Sequence, residues 1–392
     1  MLRISGRMRE ITSSCTFSLK VEEDRIRSAG QDIIDFGAEE PDFNTPDNIK
    51  EAAKRSIDEN FTHHTDPMGL FELRKAIAER YTKEYGTDYP EREILVANGA
   101  RNVLLALALS LFGEGDEAIV LSPHWSSYPE QVRIAGARPV FAKVEAEDRF
   151  LPRAERIEEA ITSATKAIFL NSPCNPSGSI IPSDLLKRIL VLSLQKDFYI
   201  ISDESYESFI FDGRHESMMQ YFQKARDRLI LVNSLSMTYA MSGWRIGYAI
   251  GPKAIIDAAA KIVGHDSFHP SSVSQKAALE AMRGESAVAS MLNIYRERRD
   301  CMLELIQSIK GMTCHVPEGA FYLFPNVTEL CRMLKLESSL EVSNYLFKNA
   351  RVITVPGEVF GYPGHIRLTF AASLENIMEG MKRIRDTLCF RA

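Results

Sequence analysis

Between residues 66 and 282, short apolar runs of strand length recur at 94–97, 118–121, 167–170, 198–202, 229–232 and 246–250, separated by polar loops and helical patterns. Strand, loop and helix in repetition build a mostly parallel sheet with helices on both faces, and unbroken apolar runs suit strands buried on both sides. The chain is predicted to be α/β. One helix is expected to open at Asp66 and Pro67, to carry Leu70, Leu73 and Ile77 on its apolar face, and to stop at Gly86. Beyond about residue 285 the pattern changes to a long charged helix at 293–309, a Gly-Ala-Phe-Tyr strand at 319–322, another helix, and strands around Val352 and Ile366. A chain of 392 residues exceeds what one small core serves, so a large domain over 47–285 and a small α+β domain over 1–46 and 286–392 are expected.

Composition narrows the function classes. Hydrophobic residues at 45% and charged residues at 26% are those of an ordinary buried-core protein. A net charge of -6 offers no basic face for nucleic acid or an anionic membrane, so neither is an expected partner. The six cysteines, Cys15, Cys174, Cys301, Cys314, Cys331 and Cys389, form no C-x-x-C pair. Neither a metal site nor a disulfide framework is read from them, and reduced thiols are expected. Residues 1–10 are basic without the apolar run of a signal peptide. No stretch reaches the roughly 18 apolar residues that span a bilayer, so a cytoplasmic location is expected.

Ligands of an open α/β sheet bind beyond the carboxyl ends of its strands. The polar residues after the runs are therefore the candidate site: Asn98-Gly99-Ala100-Arg101, Pro123-His124-Trp125, Asn171-Ser172-Pro173-Cys174-Asn175-Pro176, Asp203-Glu204-Ser205-Tyr206 and Asn233-Ser234-Leu235-Ser236. Gly99 and Ala100 lie between a strand and an apolar helix starting near Asn102, where backbone N–H groups can hold a phosphate. A glycine there by itself only makes the turn. Ser234, and Arg245 of Ser242-Gly243-Trp244-Arg245, would add a hydroxyl and a guanidinium to such a cup, although Arg245 alone also reads as a surface ion pair. Asp203 ends a buried run and needs a cationic partner. A protonated pyridine nitrogen is one, a structural ion pair or a helix cap the plain alternatives. Tyr206 and Asn175 can hydrogen-bond a ring hydroxyl, Trp125 can stack on a ring, and Arg367 in His365-Ile366-Arg367-Leu368-Thr369-Phe370 offers a planar fork to a carboxylate.

Taken in order, Asn98 to Arg101, Asn171 to Gly178, Ser202 to Tyr206, Ser234 to Tyr248, Pro317 to Tyr322 and Pro356 to Gly361 resemble the motifs of class I/II aminotransferases, over almost the whole chain. The resemblance implies the fold-type I architecture of pyridoxal-phosphate-dependent transferases, with a mostly parallel seven-stranded sheet in the large domain and a smaller α+β domain. It further implies a homodimer with two active sites at its interface, and pyridoxal 5'-phosphate as the ancestral cofactor. By position Trp125 resembles the ring-stacking aromatic, Asn175 and Tyr206 the partners of the ring hydroxyl, and Asp203 the partner of the pyridine nitrogen. Gly99, Ala100, Ser234, Ser236 and Arg245 resemble the phosphate ligands, Arg101 is expected among the cofactor-binding residues with them, and Arg367 resembles the binder of a substrate α-carboxylate.

The departures matter as much. The family motif reads Ser-x-Ser-Lys, with the lysine eight residues before the phosphate arginine; here Met237 stands eight before Arg245. That lysine holds the cofactor covalently and then moves a proton between the substrate α-carbon and the cofactor, and a thioether does neither. His64 falls where relatives carry a tyrosine that reaches the partner's site, and Glu39 where a glycine precedes Glu40-Pro41-Asp42-Phe43. A glutamate there would crowd or repel an α-carboxylate held by Arg367. His265 and His269 lie in a segment that in relatives approaches the partner's cofactor. With His64 and His124, four of the eight histidines are thus expected to line the site and to offer a proton carrier, the plain alternative being ordinary loop histidines. Met237, Tyr206 and His64 are the expected catalytic positions, and Arg367, Glu39 and Asn175 the substrate-binding ones. Three readings stand: a diverged enzyme that binds the cofactor or its amine form non-covalently, or dispenses with it; an ordinary aminotransferase whose lysine was replaced to trap an adduct; and a non-catalytic binding protein. Arg367 points to an amino-acid or related carboxylate substrate, Glu39 to a cationic one.

Overall fold

Each of the six apolar runs forms a strand in the computed structural model, which describes residues 4–13, 21, 24–26, 28, 30–284 and 288–389. In chain order the strands are β1 (Ile34–Asp35), β2 (Ile94–Ala97), β3 (Glu117–Ser122), β4 (Arg138–Lys143), β5 (Thr165–Asn171), β6 (Tyr199–Asp203), β7 (Leu229–Ser234), β8 (Gly247–Ile250), β9 (Tyr322–Leu323), β10 (Val352–Ile353), β11 (Val355–Pro356) and β12 (Ile366–Thr369). Seven of them form one sheet in the order β2-β8-β7-β6-β5-β3-β4. Only β8 is antiparallel to its neighbours, β2 and β7; the other pairings are parallel.

Alternate residues of these strands enter different cores, as a pleat requires. Ile94, Val96, Ile119, Ile168, Leu170, Ile200, Leu229 and Leu231 join one buried cluster. Leu95, Ala97, Ala118, Val120, Ala167, Phe169, Ile201, Ile230 and Val232 join another. Helices pack over both, which is why the runs are apolar without alternation. Strand β4 was not anticipated. It is an outer strand, with Arg138, Phe141 and Lys143 exposed, so its sequence lacks the unbroken apolar run of the inner strands.

The helix expected from Asp66 begins instead at Phe71 and runs Phe71–Tyr85, with Gly86 as its left-handed cap. Asp66 closes a separate turn, accepting from Met68 N (2.8 Å) on its side chain and from Gly69 N (2.8 Å) on its carbonyl. Gly69, at φ +93, breaks the helical path before Leu70. Leu73 and Ile77 are fully buried on the helix face, as expected.

The C-terminal third builds a second architecture. Strands β11-β12-β9 form an antiparallel sheet and β1 pairs in parallel with β10. Helices Val288–Gln307, Ser339–Ala350 and Leu374–Cys389 pack on them around Tyr295, Met302, Phe321, Leu346, Ile366 and Ile384. Residue 285, where the domain boundary is expected, and Cys15 lie outside the described residues. The five cysteines that are described carry free thiols. Among the described residues no helix is long and apolar enough to cross a membrane.

Candidate active site

The parallel strands deliver their carboxyl ends to one edge of the sheet, and a cavity of about 390 Å³ opens there. Asn171, Asp203 and Ser234 are the last residues of β5, β6 and β7 and all line it. Because β8 runs the other way, its beginning lies at the same edge, and Arg245, just before β8, joins them. Of the predicted site residues, Ala100, Arg101, Trp125, Asn175, Asp203, Tyr206, Ser234, Ser236, Met237, Arg245 and Glu39 line this cavity. No lysine is among the described residues that do.

The residues expected to form a phosphate cup lie together at the edge of this cavity, apart from Gly99. Helix Ala100–Leu111, capped by Gly99 (φ +83), begins two residues earlier than expected, and Ala100 and Arg101 of its first turn line the cavity. A Cβ on Gly99 would push the guanidinium of Arg245 aside, and the positive φ favours glycine there in any case. Arg245 is in the left-handed region (φ 57), where a non-glycine residue is strained. Its side chain donates to Ser242 O (2.7 Å) and Asn98 O (3.4 Å), and among the described residues no carboxylate lies within ion-pair distance. Burial and the neighbouring Arg101 lower its affinity for its own proton. Glu40 is near enough to act on it electrostatically but does not pair with it, which leaves the guanidinium able to take an anion.

Asp203 is the converse. Its carboxylate accepts from Tyr128 OH (2.8 Å), Ser205 Oγ (2.7 Å) and Ser205 N (3.1 Å), and no protein cation faces it at ion-pair distance among the described residues. Burial drives its pKa up, against the pull of those donors. Tyr128 and Ser205 are site residues that the sequence reading did not assign. Ser205 lay inside a quoted motif, and Tyr128 follows Trp125 by three residues on helix Ser127–Ile134.

Two predicted partners are engaged with protein groups. Tyr206 OH shares a hydrogen bond of 2.7 Å with Tyr322 OH, and burial holds the phenol protonated far above its ordinary range. Asn175 Oδ1 accepts from Arg367 Nη1 at 2.9 Å. Trp125 lies beneath Arg101, whose guanidinium is 4.8 Å from the ring centroid, and its Nε1 is 3.5 Å from Glu39 Oε2. Arg367 is 0% exposed, sandwiched between the rings of Tyr322 (4.5 Å) and Phe360 (5.0 Å), and does not line the cavity. Its Nη1 donates to Glu39 Oε1 at 2.6 Å and its Nη2 to Gly37 O at 2.7 Å. Gly99 lies behind Arg245, outside the lining.

The four-histidine expectation needs correction within this chain. His124 is buried against Phe141 (5.4 Å between rings), with Nδ1 3.1 Å from Trp125 O, and borders a smaller cavity. Burial lowers its pKa to about 4, so it is no carrier near neutral pH. His265 is exposed on helix Lys253–Asp266. His64, also exposed, pairs with His269 (3.1 Å between ring nitrogens), and neither lines the cavity.

The mostly parallel seven-stranded sheet, with Arg245, the buried Asp203 and Trp125 around one cavity at its strand ends, places the chain in a class, and residues 31–384 match the family Aminotransferase class I and II. The chain belongs to that family and has its fold-type I architecture. It is 36% identical over 393 residues to the aspartate aminotransferase of Geobacillus stearothermophilus, covering 100% of both chains. It is 37% identical over 389 residues to a probable aspartate/prephenate aminotransferase of Aquifex aeolicus, covering 98% of each. Among solved structures, the aspartate aminotransferase of Thermus thermophilus with maleate superposes with a TM-score of 0.93 at 36% identity, over 99% of this chain and 100% of that one. The Rhizobium meliloti aspartate aminotransferase gives 0.93 at 33% identity over 100% of both.

Proposed function

We propose that this protein is an aminotransferase-family enzyme that holds pyridoxal phosphate or its amine form without a covalent bond and acts on the amino group of a small molecule. The observation that carries this reading is a cavity lined by Arg245, with no carboxylate at ion-pair distance, and by the buried Asp203, with no cation at ion-pair distance, with Met237 in its wall and no lysine among the described residues that line it. Arg245, the hydroxyls of Ser234 and Ser236, and the helix terminus at Ala100 and Arg101 would bind the phosphate. Asp203 would hold a proton on the pyridine nitrogen, which relieves its own unpaired charge. Trp125 would cover a ring face, and Tyr206, kept protonated, would donate to the ring oxygen with Asn175 beside it. When bound, the cofactor supplies an electron sink for the substrate carbon that bears the amine. Met237 cannot move the proton at that carbon, so the carrier is another group. His64 lies on the surface of its own chain, and in a homodimer with shared sites it is the candidate to enter the partner's cavity. A cluster made wholly of residues from 49–281 supports a large domain over 47–285, and a second, built mainly from residues 288–388 with Ile34 and Phe36 but joined by Tyr206, Phe209, Phe211 and Ala240, a small one over 1–46 and 286–392. We also read the protein as cytoplasmic.

The test is a visible spectrum after addition of pyridoxal phosphate, followed by borohydride and mass spectrometry, for the wild type and for Met237→Lys. The expected wild type binds the cofactor but releases it unmodified on denaturation, whereas the variant keeps it covalently. A variant that briskly transaminates a common amino acid would instead favour an ordinary aminotransferase, and failure of both forms to bind would remove the cofactor from the reading.

A further inference from the structure

The guanidinium fork of Arg367, buried behind the cavity wall, is already occupied by a carboxylate of the chain itself. Both N–H groups of Arg367 Nη1 are used, by Glu39 Oε1 at 2.6 Å and Asn175 Oδ1 at 2.9 Å, and Nη2 donates to Gly37 O at 2.7 Å. Arg367 Nε has no partner, but it is buried with the rest of the side chain. Glu39 stands between Arg367 and the cavity, so an incoming carboxylate meets Glu39 first.

Glu39 is held there on several sides. Burial opposes its charge, but Arg367, Arg101 and the indole N–H of Trp125 together keep its pKa below the ordinary value. Its second oxygen, 3.5 Å from Trp125 Nε1, is at the outer limit of a hydrogen bond and keeps acceptor capacity toward the cavity. The wall as a whole carries Asp35, Glu39, Glu40 and Asp203 against Arg101 and Arg245. With Arg245 assigned to the phosphate, little positive charge is left for a second anion. Two carboxylates facing one another in a desolvated site repel.

Resting on the cofactor reading above, we infer that Glu39 excludes α-carboxylates and that the substrate is a primary amine with no carboxylate on the reacting carbon, its other end neutral or cationic. The same residue then both neutralises Arg367 and offers an acceptor to the substrate.

Calorimetric titration of the wild type with pyridoxal phosphate and with two reduced adducts, phosphopyridoxyl-putrescine and phosphopyridoxyl-L-aspartate, tests this without turnover. The putrescine adduct should bind at least about tenfold more tightly than the aspartate adduct. Glu39→Gly, which exposes Arg367, should invert that order. An aspartate adduct that binds the wild type as tightly as the putrescine adduct, while pyridoxal phosphate itself binds, overturns this inference alone. If none of the three binds, the cofactor reading fails and this inference with it. The wild-type comparison decides the matter even if the variant does not fold.

Discussion

The phenol of Tyr128 donates to Oδ2 of Asp203 at 2.8 Å, tying helix Ser127–Ile134 to the end of β6 beneath the cavity floor. Burial raises the Asp203 pKa against the pull of its donors Ser205 and Tyr128. A carboxyl raised in the folded state stabilises the protein fully below its unfolded value and loses that contribution as pH rises through the folded value. Wherever Asp203 is ionised in the cofactor-free protein, its buried charge has no cationic partner at ion-pair distance among the described residues. Asp203→Asn keeps the hydrogen-bonding shape and removes the charge, so it should raise the cofactor-free unfolding free energy by about 1 kcal/mol while weakening pyridoxal phosphate binding at least about tenfold. Thermal unfolding with and without cofactor measures both. A variant less stable without cofactor, with affinity unchanged, would contradict the assignment.

The ion pair of Glu39 and Arg367 has a stability consequence separate from substrate choice. Removing one partner of a buried pair leaves the other charge uncompensated and costs about 3–5 kcal/mol. Arg367→Met should therefore destabilise strongly in urea unfolding, and adding Glu39→Leu should recover part of the loss. Since the Glu39 pKa lies below 4.5, its contribution is present above that pH and fades as pH falls through the lowered value. Additive effects of the two substitutions would mean that the pair is not coupled.

Gly99→Ala places a Cβ against the Arg245 guanidinium at a φ of +83. The backbone strain is worth about 1–2 kcal/mol, and the displaced guanidinium should weaken binding of pyridoxal phosphate and of inorganic phosphate together. Equal affinity of wild type and variant for both anions would sever Arg245 from the anion site.

His215 and Glu204 form a buried pair at 2.8 Å, beside Glu207, which Arg80 engages at 2.5 Å. Burial lowers the affinity of His215 for its proton, but Glu204 and the other nearby carboxylates outweigh it, and its pKa is raised above 6.5. That contribution is complete below 6.5 and disappears as pH rises through the folded value. His215→Gln should cost about 1–3 kcal/mol at pH 6, with the gap closing on the alkaline side. Urea midpoints across that range decide it, since a gap independent of pH would assign His215 a packing role only.

Much of the large sheet was legible because burial on both faces writes itself as unbroken apolar runs such as Ile230-Leu231-Val232. The edge strand β4 was not, since Arg138 and Lys143 answer to solvent and not to a core. The start of the helix at Phe71 was missed for a local reason: Asp66 caps a turn that Gly69 ends, and the two arrangements share the same polar signature. The residues at the strand ends were readable because topology alone carries Asp203, Ser234 and Arg245 to one edge. Tyr128 went unassigned because its role depends on which way one helix face turns.

By itself the sequence determined the class of fold, the family and the absence of lysine at residue 237, because these follow from periodicity and from residue identity at ordered positions. Tertiary structure alone decided what Glu39 does. β1 lies along β10, and Thr369 N donates to Phe36 O at 2.8 Å, so residues 328 positions apart in the chain, Glu39 and Arg367, come within 2.6 Å. No local pattern encodes that meeting, because ion pairing depends on distance through space, and the chain sets that distance only once both sheets have formed.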